Sequence, residues 1–410
     1  MMLLFPSLRN WSIRKDMKVD KTEWNIFSIK DIAIILNGYA FKSEKYCSDG
    51  IRIIRITNVQ DGFIEDNDPK FYSYSTENEL QRFILHEGDL LISLTGNVGR
   101  VGILNKSFLP AALNQRVGCI RPTKKVCVKF LYYQLRKESF KEDCIRSAKG
   151  VAQLNMSTEW LKEYKLFVPS LSEQQAIATE LDSIQTMIDG YKAQLADLDA
   201  LIQSIFLDMF GDVAINNKSW DIIPMGQLGD LKNGLNYNKG EKGKKLKIIG
   251  VGDFQNLKTL TLFDNIPSIE VESISQEYLL QNEDIVFVRS NGNKDLVGRC
   301  LEIYPNKEEV TFSGFCIRFR KSTDIVNKYL IALLTDIGFK KAHILKSNGI
   351  GIQNINQKLL GNLPIPVPPI DLQKRFAMQV KAIEQQKEQT HLQLTDAEQL
   401  MAERMQYYFS

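Results

Sequence analysis

The sequence predicts an α+β fold: two repeated strand-rich domains, separated by a pair of long antiparallel coiled-coil helices and related by a pseudo-two-fold axis. Three observations predict it. The chain repeats itself, each repeat opens with short β-branched segments, and each repeat closes with a long helix. The chain has 410 residues, of which 44% are apolar and 25% are charged, and its net charge is +3. This composition is typical of a globular protein with two or three domains.

The internal repeat consists of short motifs that return in the same order about 196 to 199 residues later. Trp24-Asn25-Ile26 returns as Trp220-Asp221-Ile222, and Asn37-Gly38 returns as Asn233-Gly234. An offset that changes by a few residues is expected of a duplicated unit with loop insertions. The later pairs are Gly96-Asn97 with Gly292-Asn293, Val101-Gly102 with Val297-Gly298, Cys119-Ile120-Arg121 with Cys316-Ile317-Arg318, and Asn155 with Asn354.

Each repeat has a strand-rich first part and a helical second part. Short β-branched runs bounded by Gly, Asn and Asp predict strands at Ile51–Thr57, Asp89–Leu94, Leu246–Ile249 and Asp284–Val288. The boundaries that we predict are a segment at 1–22, a first domain at 23–158, a first helical region at 159–215, a second domain at 216–357 and a second helical region at 358–410.

The first long helix is predicted to run from Glu173 to Met209, which at about 1.5 Å per residue is roughly 55 Å. Ser172 is the expected N-cap, with Gln175 as its capping-box partner. Apolar residues recur in steps of four and three, the signature of a coiled coil that needs a partner helix. This apolar seam consists of Ile177, Leu181, Ile184, Ile188, Tyr191, Leu195, Leu198, Ile202, Ile205 and Met209.

The second helical region supplies that partner, with apolar residues at the equivalent positions Phe376, Val380, Ile383, Leu394 and Met401. Its seam is interrupted by polar residues at three further equivalent positions. Polar residues in a seam either fix the register of the two helices or mark a place where another protein's helix packs, and the sequence leaves both open. The three are Lys387, Thr390 and Arg404.

Few residues offer catalytic or metal-binding chemistry. The three histidines, His86, His343 and His391, are too dispersed to favour a metal cluster, and no glycine-rich phosphate loop occurs. Asp68-Pro69-Lys70 resembles only weakly the carboxylate–lysine pair of a nuclease. We therefore expect no catalytic residue, no metal and no cofactor in this chain, so an enzyme with a cryptic site is the least favoured hypothesis.

The sequence also indicates the cellular location of the chain. No run reaches about 18 apolar residues without a charge, so a membrane span is not expected. The six cysteines are scattered without a C-x-x-C pair, which favours a reduced, cytoplasmic protein.

Charge alternates along the chain. Residues 1–155 carry seven more basic than acidic residues, residues 156–215 carry seven fewer, and residues 216–358 carry four more. Two basic domains suit double-stranded DNA, because Lys and Arg bind phosphates while Arg, Asn and Gln read base edges. Two alternatives stay open. The repeats could bind proteins as parts of a coiled-coil scaffold, or these side chains could be ordinary turn formers and solvated lysines.

The candidate DNA-contacting residues are the basic and amide side chains of the loops. They are Arg52, Arg55, Asn58, Gln60, Asn97, Arg100, Gln115, Arg116, Lys149, Gln153 and Asn155 in the first domain, and Lys239, Lys242, Lys244, Lys245, Arg289, Asn291, Asn293, Lys294, Asn348, Gln353 and Asn354 in the second.

Each repeat ends in a motif set that resembles one family: Gly150–Asn155, Val168-Pro169 and Gln174 in the first, and Gly349–Asn354, Val367-Pro368 and Gln373 in the second. With these motifs the chain resembles, from about Trp24 to Phe409, the specificity (S) subunit of type I restriction-modification enzymes. The resemblance implies two target-recognition domains, each reading one half of a bipartite, asymmetric DNA site. One departure is that the first 20 or so residues have no counterpart before Trp220. In similar proteins such a segment packs near the C-terminal helix.

The resemblance also implies partners. The helical regions would act as a spacer and dock two methyltransferase (M) subunits, and restriction (R) subunits would join them. The chain would then be a non-catalytic subunit of an adenine-N6 DNA methyltransferase and ATP-dependent endonuclease complex. S-adenosylmethionine and ATP would be bound by the partner subunits.

Overall fold

The structure, a computed structural model, divides into two compact units. Unit 1 comprises the chain up to Lys192 together with Leu392–Ser410, and unit 2 comprises Ala193–His391. Each unit therefore contains one strand-rich domain and one half of each long helix. The ranges that the structure describes are 19–150, 154–237, 242–254, 259–290, 296–345 and 354–410.

Unit 1 holds nine described strands, five described short α-helices, the first half of one long helix and the second half of the other. The strands are β1 (Asn25–Ser28), β2 (Ala33–Asn37), β3 (Ile51–Ile54), β4 (Phe71–Tyr72), β5 (Leu90–Ser93), β6 (Val101–Ile103), β7 (Ala111–Leu113), β8 (Val117–Pro122) and β9 (Lys165–Val168). The helices are α1 (Ile29–Ile32), α2 (Glu77–Leu80), α3 (Val128–Gln134), α4 (Glu138–Ser147), α5 (Thr158–Glu163) and α6 (Leu171–Phe210).

Unit 2 follows a similar order of elements, with one additional strand, β13 (Thr259–Leu260), and no described α-helix at the position of α2. Its strands are β10 (Asp221–Pro224), β11 (Gly229–Asn233), β12 (Lys244–Ile249), β13 (Thr259–Leu260), β14 (Ser268–Val271), β15 (Asp284–Val288), β16 (Cys300–Ile303), β17 (Val310–Phe312), β18 (Cys316–Lys321) and β19 (Pro364–Val367). Its helices are α7 (Met225–Leu228), α8 (Asn327–Thr335), α9 (Ile337–Phe339), α10 (Gln357–Gly361) and α11 (Ile370–Phe409), with a π-helical turn at Lys340–Leu345.

The sheet topology confirms the predicted duplication. In unit 1 the strand orders are β2-β8-β5-β6 and β4-β3-β7, and β1 pairs with β9. In unit 2 they are β11-β18-β15-β16-β13 and β14-β12-β17, and β10 pairs with β19. The parallel pairs β3·β7 and β12·β17 also correspond. The central strands β5 and β15 are buried along their whole length, which explains their uninterrupted apolar sequences.

Hydrogen bonds correct two of the sequence matches within the repeat. The Gly99 N–H donates to Ser93 O (3.0 Å) and the Gly298 N–H donates to Val288 O (2.9 Å), so Gly99 corresponds to Gly298. The predicted match of Val101-Gly102 with Val297-Gly298 is therefore wrong by three residues. Measured from these pairs, the β15–β16 connection is four residues longer than the β5–β6 connection.

Ion pairs show the second correction. Arg121 pairs with Asp89 (2.8 Å) and Arg320 pairs with Asp284 (2.7 Å), and both carboxylates are 1% exposed. Arg121 therefore corresponds to Arg320, and the match of Cys119-Ile120-Arg121 with Cys316-Ile317-Arg318 is wrong by two residues. The carboxylate of Asp89 raises the pKa of Arg121, mainly through their hydrogen bond. One insertion before β16 accounts for the offset of 199 beyond this point.

The two long helices pack antiparallel within each unit. In unit 1, Ile184 and Ile188 of α6 pack against Ala397 and Leu400 near the end of α11. In unit 2, Ile202 of the second half of α6 lies in one cluster with Val380 and Ile383 near the start of α11. Every residue of the predicted seams is buried or half-buried. The α6 seam changes towards its end, because Phe206 and Phe210 are more deeply buried than the predicted Ile205 and Met209.

Phe206 and Phe210 change the seam because they pack on the domain of unit 2 as well as on α11. The ring of Phe210 lies 4.6 Å from Tyr329 and 5.3 Å from Phe376. A straight helix of 3.6 residues per turn also drifts away from a strict 3.5-residue repeat. The sequence pattern alone could not locate this change of partner.

Two of the three polar seam positions of α11 pair with α6. Lys387 binds Asp199 (2.7 Å) in unit 2, and Arg404 binds Glu180 (2.8 Å) in unit 1. Thr390, which is 2% exposed, donates its hydroxyl to Gln386 O of its own helix (2.9 Å). Of the two alternatives left open by the sequence, these contacts favour the role in fixing the register of the helices.

The start of α6 differs from its prediction by two residues. Ser170 rather than Ser172 caps the helix, since its hydroxyl accepts from the Glu173 N–H (3.3 Å). Of the N-terminal segment the structure describes residues 19–22, and two of these contact the end of the chain, where the resemblance implied. The Val19 N–H donates to Tyr407 O at the end of α11 (3.2 Å), and Lys21 Nζ donates to Ser410 O.

Gln174 and Gln373 fasten the start of each long helix to its domain. Gln174, which is 1% exposed, accepts from the Cys127 N–H (2.7 Å) and donates to Pro169 O (2.9 Å). Gln373 makes the matching bonds with Val326 and Pro368.

We expect Gln174→Leu to lower the free energy of unfolding by about 1–3 kcal/mol, because the N–H of the half-buried Cys127 loses its acceptor. Gln194→Leu changes an exposed glutamine of the same helix and should stay within about 0.5 kcal/mol of the unmodified chain. Urea unfolding followed by circular dichroism measures both. Equal midpoints for the two variants would contradict the proposed fastening role.

Candidate nucleic-acid interface

Three loops of unit 1 meet at one edge of its domain. The Leu94 N–H donates to Arg116 O (3.1 Å), and the Gly96 N–H donates to Leu154 O (3.0 Å). Lys149 and Asn155 exchange two backbone hydrogen bonds (3.0 Å each). We call this surface turn edge 1. It consists of residues 95–100, 114–116, 149–150 and 154–155.

Unit 2 has the same edge. The Arg289 N–H donates to Phe315 O (2.8 Å), and the Ile355 N–H donates to Arg289 O (2.8 Å). Ser290 forms a bridge with Asn354. The described part of this surface, turn edge 2, consists of residues 289–290, 313–315 and 354.

The repeated Asn-Gly motif shapes both edges. A Cβ atom on Gly38 would lie 2.2 Å from Asn114 C and O, and one on Gly234 would lie 2.1 Å from Ser313 O. Only glycine permits this approach, so the residues after β2 and β11 can bond directly to the turns. The repetition of the motif thus reflects close backbone packing behind each turn edge.

Five of the predicted DNA-contacting residues are exposed on turn edge 1. They are Asn97, Gln115, Arg116, Lys149 and Asn155. Arg100 is half-buried and donates to Gln60 Oε1 (2.9 Å), which ties two further candidates together beside the edge. Gln60 itself donates to Thr57 O (2.8 Å). The sequence had not predicted that these residues, which are distant along the chain, would come together.

Three candidates of unit 1 are engaged inside the domain instead. Asn58 is 3% exposed, accepts from the Arg55 N–H (2.8 Å) and donates to Glu65 O (2.9 Å). The prediction that Asn58 contacts DNA is therefore wrong, because its amide is buried and used by its own loop. Arg52 pairs with Asp66 and stacks on the ring of Phe71.

Arg55 is likewise held within the domain, by the backbone oxygen (2.6 Å) and the carboxylate (3.5 Å) of Asp68. Asp68 also pairs with Lys70 (2.5 Å). The faint nuclease-like pair of the sequence is thus part of a surface ion-pair cluster, and these contacts hold the pKa of Asp68 below its usual range.

In unit 2 the structure separates the lysines from the edge. Lys242 and Lys245 are exposed, whereas Lys244 pairs with Glu309. These residues lie at the start of β12, while Ile249 at its end accepts from the Ser313 N–H (2.9 Å). At about 3.3 Å per residue, Lys244 and Ile249 are some 16 Å apart along the strand.

At turn edge 2 itself, Arg289 is half-buried and its guanidinium donates to Gly314 O (3.4 Å), and Asn354 is exposed. Seven candidates lie outside the residues that the structure describes: Gln153, Lys239, Asn291, Asn293, Lys294, Asn348 and Gln353.

Phe315, an aromatic residue that is 63% exposed on turn edge 2, is not among the residues predicted from the sequence. A signal for it existed. The offset of 199 that holds from Gly99 onward sets Phe315 against Arg116, whereas the mistaken offset of 197 concealed the match.

The described residues give little support for chemistry at either edge. Burial raises the pKa of the Cys316 thiol next to Phe315 to about 12, so this thiol is protonated at neutral pH. Across the described ranges, no group of three or more His, Cys, Asp or Glu side chains is arranged to hold a metal ion. Among their described residues the two edges expose hydrogen-bond donors and acceptors and one large apolar side chain, that of Phe315.

None of the helices in the described ranges combines the length and the apolar character that a bilayer span requires.

Comparison with known proteins gives consistent results. The family model for the type I restriction modification DNA specificity domain matches residues 21–199 and 217–397. The chain is 24% identical over 383 residues to the StySPI specificity subunit of Salmonella potsdam, covering 88% of this chain and 82% of that protein. It is 22% identical over 385 residues to the EcoKI specificity subunit of Escherichia coli K12, with the same two coverages.

Solved structures show a similar fold. The S subunit of a type I restriction-modification system from M. genitalium superimposes with a TM-score of 0.56 at 16% identity, covering 97% of this chain and 98% of that one. A chain from a study of complex assembly and conformational transition in a type I R-M system gives a TM-score of 0.55 at 14% identity, covering 94% and 96%.

We expect Gly38→Ala and Gly234→Ala each to destabilise the chain by about 1–3 kcal/mol, since the added methyl group overlaps backbone that cannot move freely. Gly190→Ala is the matched control. No atom lies within 4 Å of its added methyl, and alanine should stabilise α6 by about 0.5–1 kcal/mol. Thermal unfolding measures all three, and a Gly234→Ala variant as stable as Gly190→Ala would contradict the close-packing argument.

Proposed function

Because the chain belongs to the family of type I restriction-modification specificity subunits, we propose that it selects a bipartite, asymmetric DNA site by reading one half with each turn edge. The observation that carries this proposal is that the two edges share one backbone arrangement but expose different side chains. Turn edge 1 offers Gln115 and Arg116 where turn edge 2 offers Gly314 and Phe315. A duplicated scaffold with diverged contacts is what an asymmetric site requires.

We propose that the chain has no catalytic activity of its own and works with two M subunits, which bind S-adenosylmethionine, and with R subunits, which use ATP. Methylation of adenine N6 and ATP-dependent cleavage would then belong to those partners. We assign the docking of these partners to the long helices, which also carry exposed apolar side chains. They are Leu201, Leu207, Met378 and Leu392. A cytoplasmic location fits the scattered cysteines.

The alternative, a coiled-coil scaffold whose domains bind proteins rather than DNA, finds no support in the family or in the relatives. The two hypotheses differ in how the affinity for DNA depends on salt concentration. Only binding through phosphates releases counterions and weakens as salt rises.

We expect the complex of this chain with its M subunits to bind duplex DNA with an association constant whose logarithm falls linearly with the logarithm of the salt concentration. Lys149→Ala should make that slope shallower by about 0.9 if Lys149 contacts one phosphate. Lys30→Ala removes a lysine that is paired with Glu163 away from turn edge 1, and should leave the slope unchanged. Fluorescence anisotropy at several salt concentrations measures it, and salt-independent or absent binding would favour the scaffold.

The proposal extends to the spacing of the half-sites, which we assign to the helical regions. Inserting one heptad into α6 and one into α11 at paired positions keeps the seam in register. Seven residues add about 10 Å, which equals about three base pairs. Methylome sequencing should then show unchanged half-sites separated by about three more base pairs, and an unchanged spacer would refute this assignment.

A further inference from the structure

Arg116 and Phe315 occupy the same position in the two units. Each lies two residues after a side chain that accepts a hydrogen bond from its backbone N–H. Asn114 Oδ1 accepts from the Arg116 N–H (3.2 Å), and Ser313 Oγ accepts from the Phe315 N–H (3.1 Å). The carbonyl of Arg116 accepts from the Leu94 N–H, and that of Phe315 accepts from the Arg289 N–H. The backbone therefore presents both side chains in the same way.

Each turn is also held by a backbone hydrogen bond to the segment that follows β2 or β11. The Gln115 N–H donates to Tyr39 O (3.0 Å), and the Gly314 N–H donates to Leu235 O (2.8 Å). Asn114 and Ser313 are both 8% exposed. A side chain carried on such a turn is held in place before any ligand binds, which lowers the entropic cost of binding.

The side chain of Phe315 is unusual for its surroundings. It is 63% exposed, while Phe312 and Phe319 on the two flanking strands are fully buried. A ring that is mostly exposed on a turn held by backbone hydrogen bonds contributes little to the core and is available to contact a ligand. Arg116 is exposed as well, and no described residue pairs with its guanidinium.

We propose that Arg116 and Phe315 are specificity-determining residues, in which the Arg116 guanidinium donates to O6 and N7 of a guanine and the Phe315 ring contacts the C5-methyl group of a thymine. This inference rests on the proposed function. A guanidinium matches the two acceptors of guanine, and the thymine methyl is the one apolar group on a base-pair edge in the major groove. The two half-sites thus differ because one turn position carries opposite chemistry.

The test uses the complex of the full chain with its M subunits and the site that methylome sequencing gives for it. Binding is measured to duplexes in which each thymine in turn is replaced by deoxyuridine, which lacks only the methyl group. We expect one thymine, in one half-site, at which the replacement weakens binding about fourfold, the value for one buried carbon group. This arm needs no variant, so it stays informative if a variant fails to fold.

Variants then assign the contact. Phe315→Ala should bind the thymine and deoxyuridine duplexes equally well, whereas Leu262→Ala, which removes another exposed apolar side chain of unit 2, should keep the fourfold difference. For Arg116, replacing one guanine by 7-deazaguanine should weaken binding by about 5- to 150-fold. Arg116→Ala should abolish that difference, and Arg82→Ala, at an exposed arginine outside turn edge 1, should not.

The outcomes separate this inference from the proposed function. Site-specific binding that tolerates deoxyuridine at every position overturns the Phe315 contact and leaves the proposed function standing. The contact is also overturned if Phe315→Ala lowers the affinity for both duplexes by the same factor relative to the unmodified chain. The fourfold preference for thymine would then persist without the ring, so the ring would not read the methyl group. Failure of the complex to prefer its methylated site over a scrambled duplex overturns the proposed function itself.

Discussion

The buried seam between α6 and α11 is the constraint on which the architecture depends. Each helix is 40 residues long, and its apolar face would be exposed to water without the other. In unit 1 the start of α6 packs on the end of α11, and in unit 2 the end of α6 packs on the start of α11. The ion pairs of Lys387 and Arg404 admit one register. Unit 1 is therefore assembled from two separate pieces of the chain, whereas unit 2 is the contiguous segment Ala193–His391.

Periodicity in the sequence was sufficient to predict the duplication, the strand-rich domains and both long helices, because each leaves a local pattern. What it could not supply depends on contacts between distant residues. The N-cap is Ser170 rather than Ser172, and the α6 seam changes to Phe206 and Phe210 because they meet Tyr329 and Phe376. The repeat offset was misassigned around Cys119, since hydrogen bonds and the Asp89 ion pair, not identical letters, define equivalence.

The candidate interface shows the same limit. Residue type alone selected both Asn97, which is exposed on turn edge 1, and Asn58, which is buried in its own loop. It also excluded Phe315, because apolar residues were not considered as DNA contacts. Different residues therefore maintain the backbone and vary the surface. Gly38, Gly234 and the carboxylates of Asp89 and Asp284 maintain one backbone in both units, so that the exposed turn residues are free to diverge.

Hydroxyl-radical footprinting read by mass spectrometry tests most directly whether the turn edges face DNA. The complex with M subunits is oxidised with its own site bound and with a scrambled duplex. We expect oxidation of Phe315 to fall when the specific site is bound, while Leu262, the 76% exposed residue of the same unit, is oxidised equally in both. Oxidation of Phe315 that does not change when the specific site is bound would contradict the account.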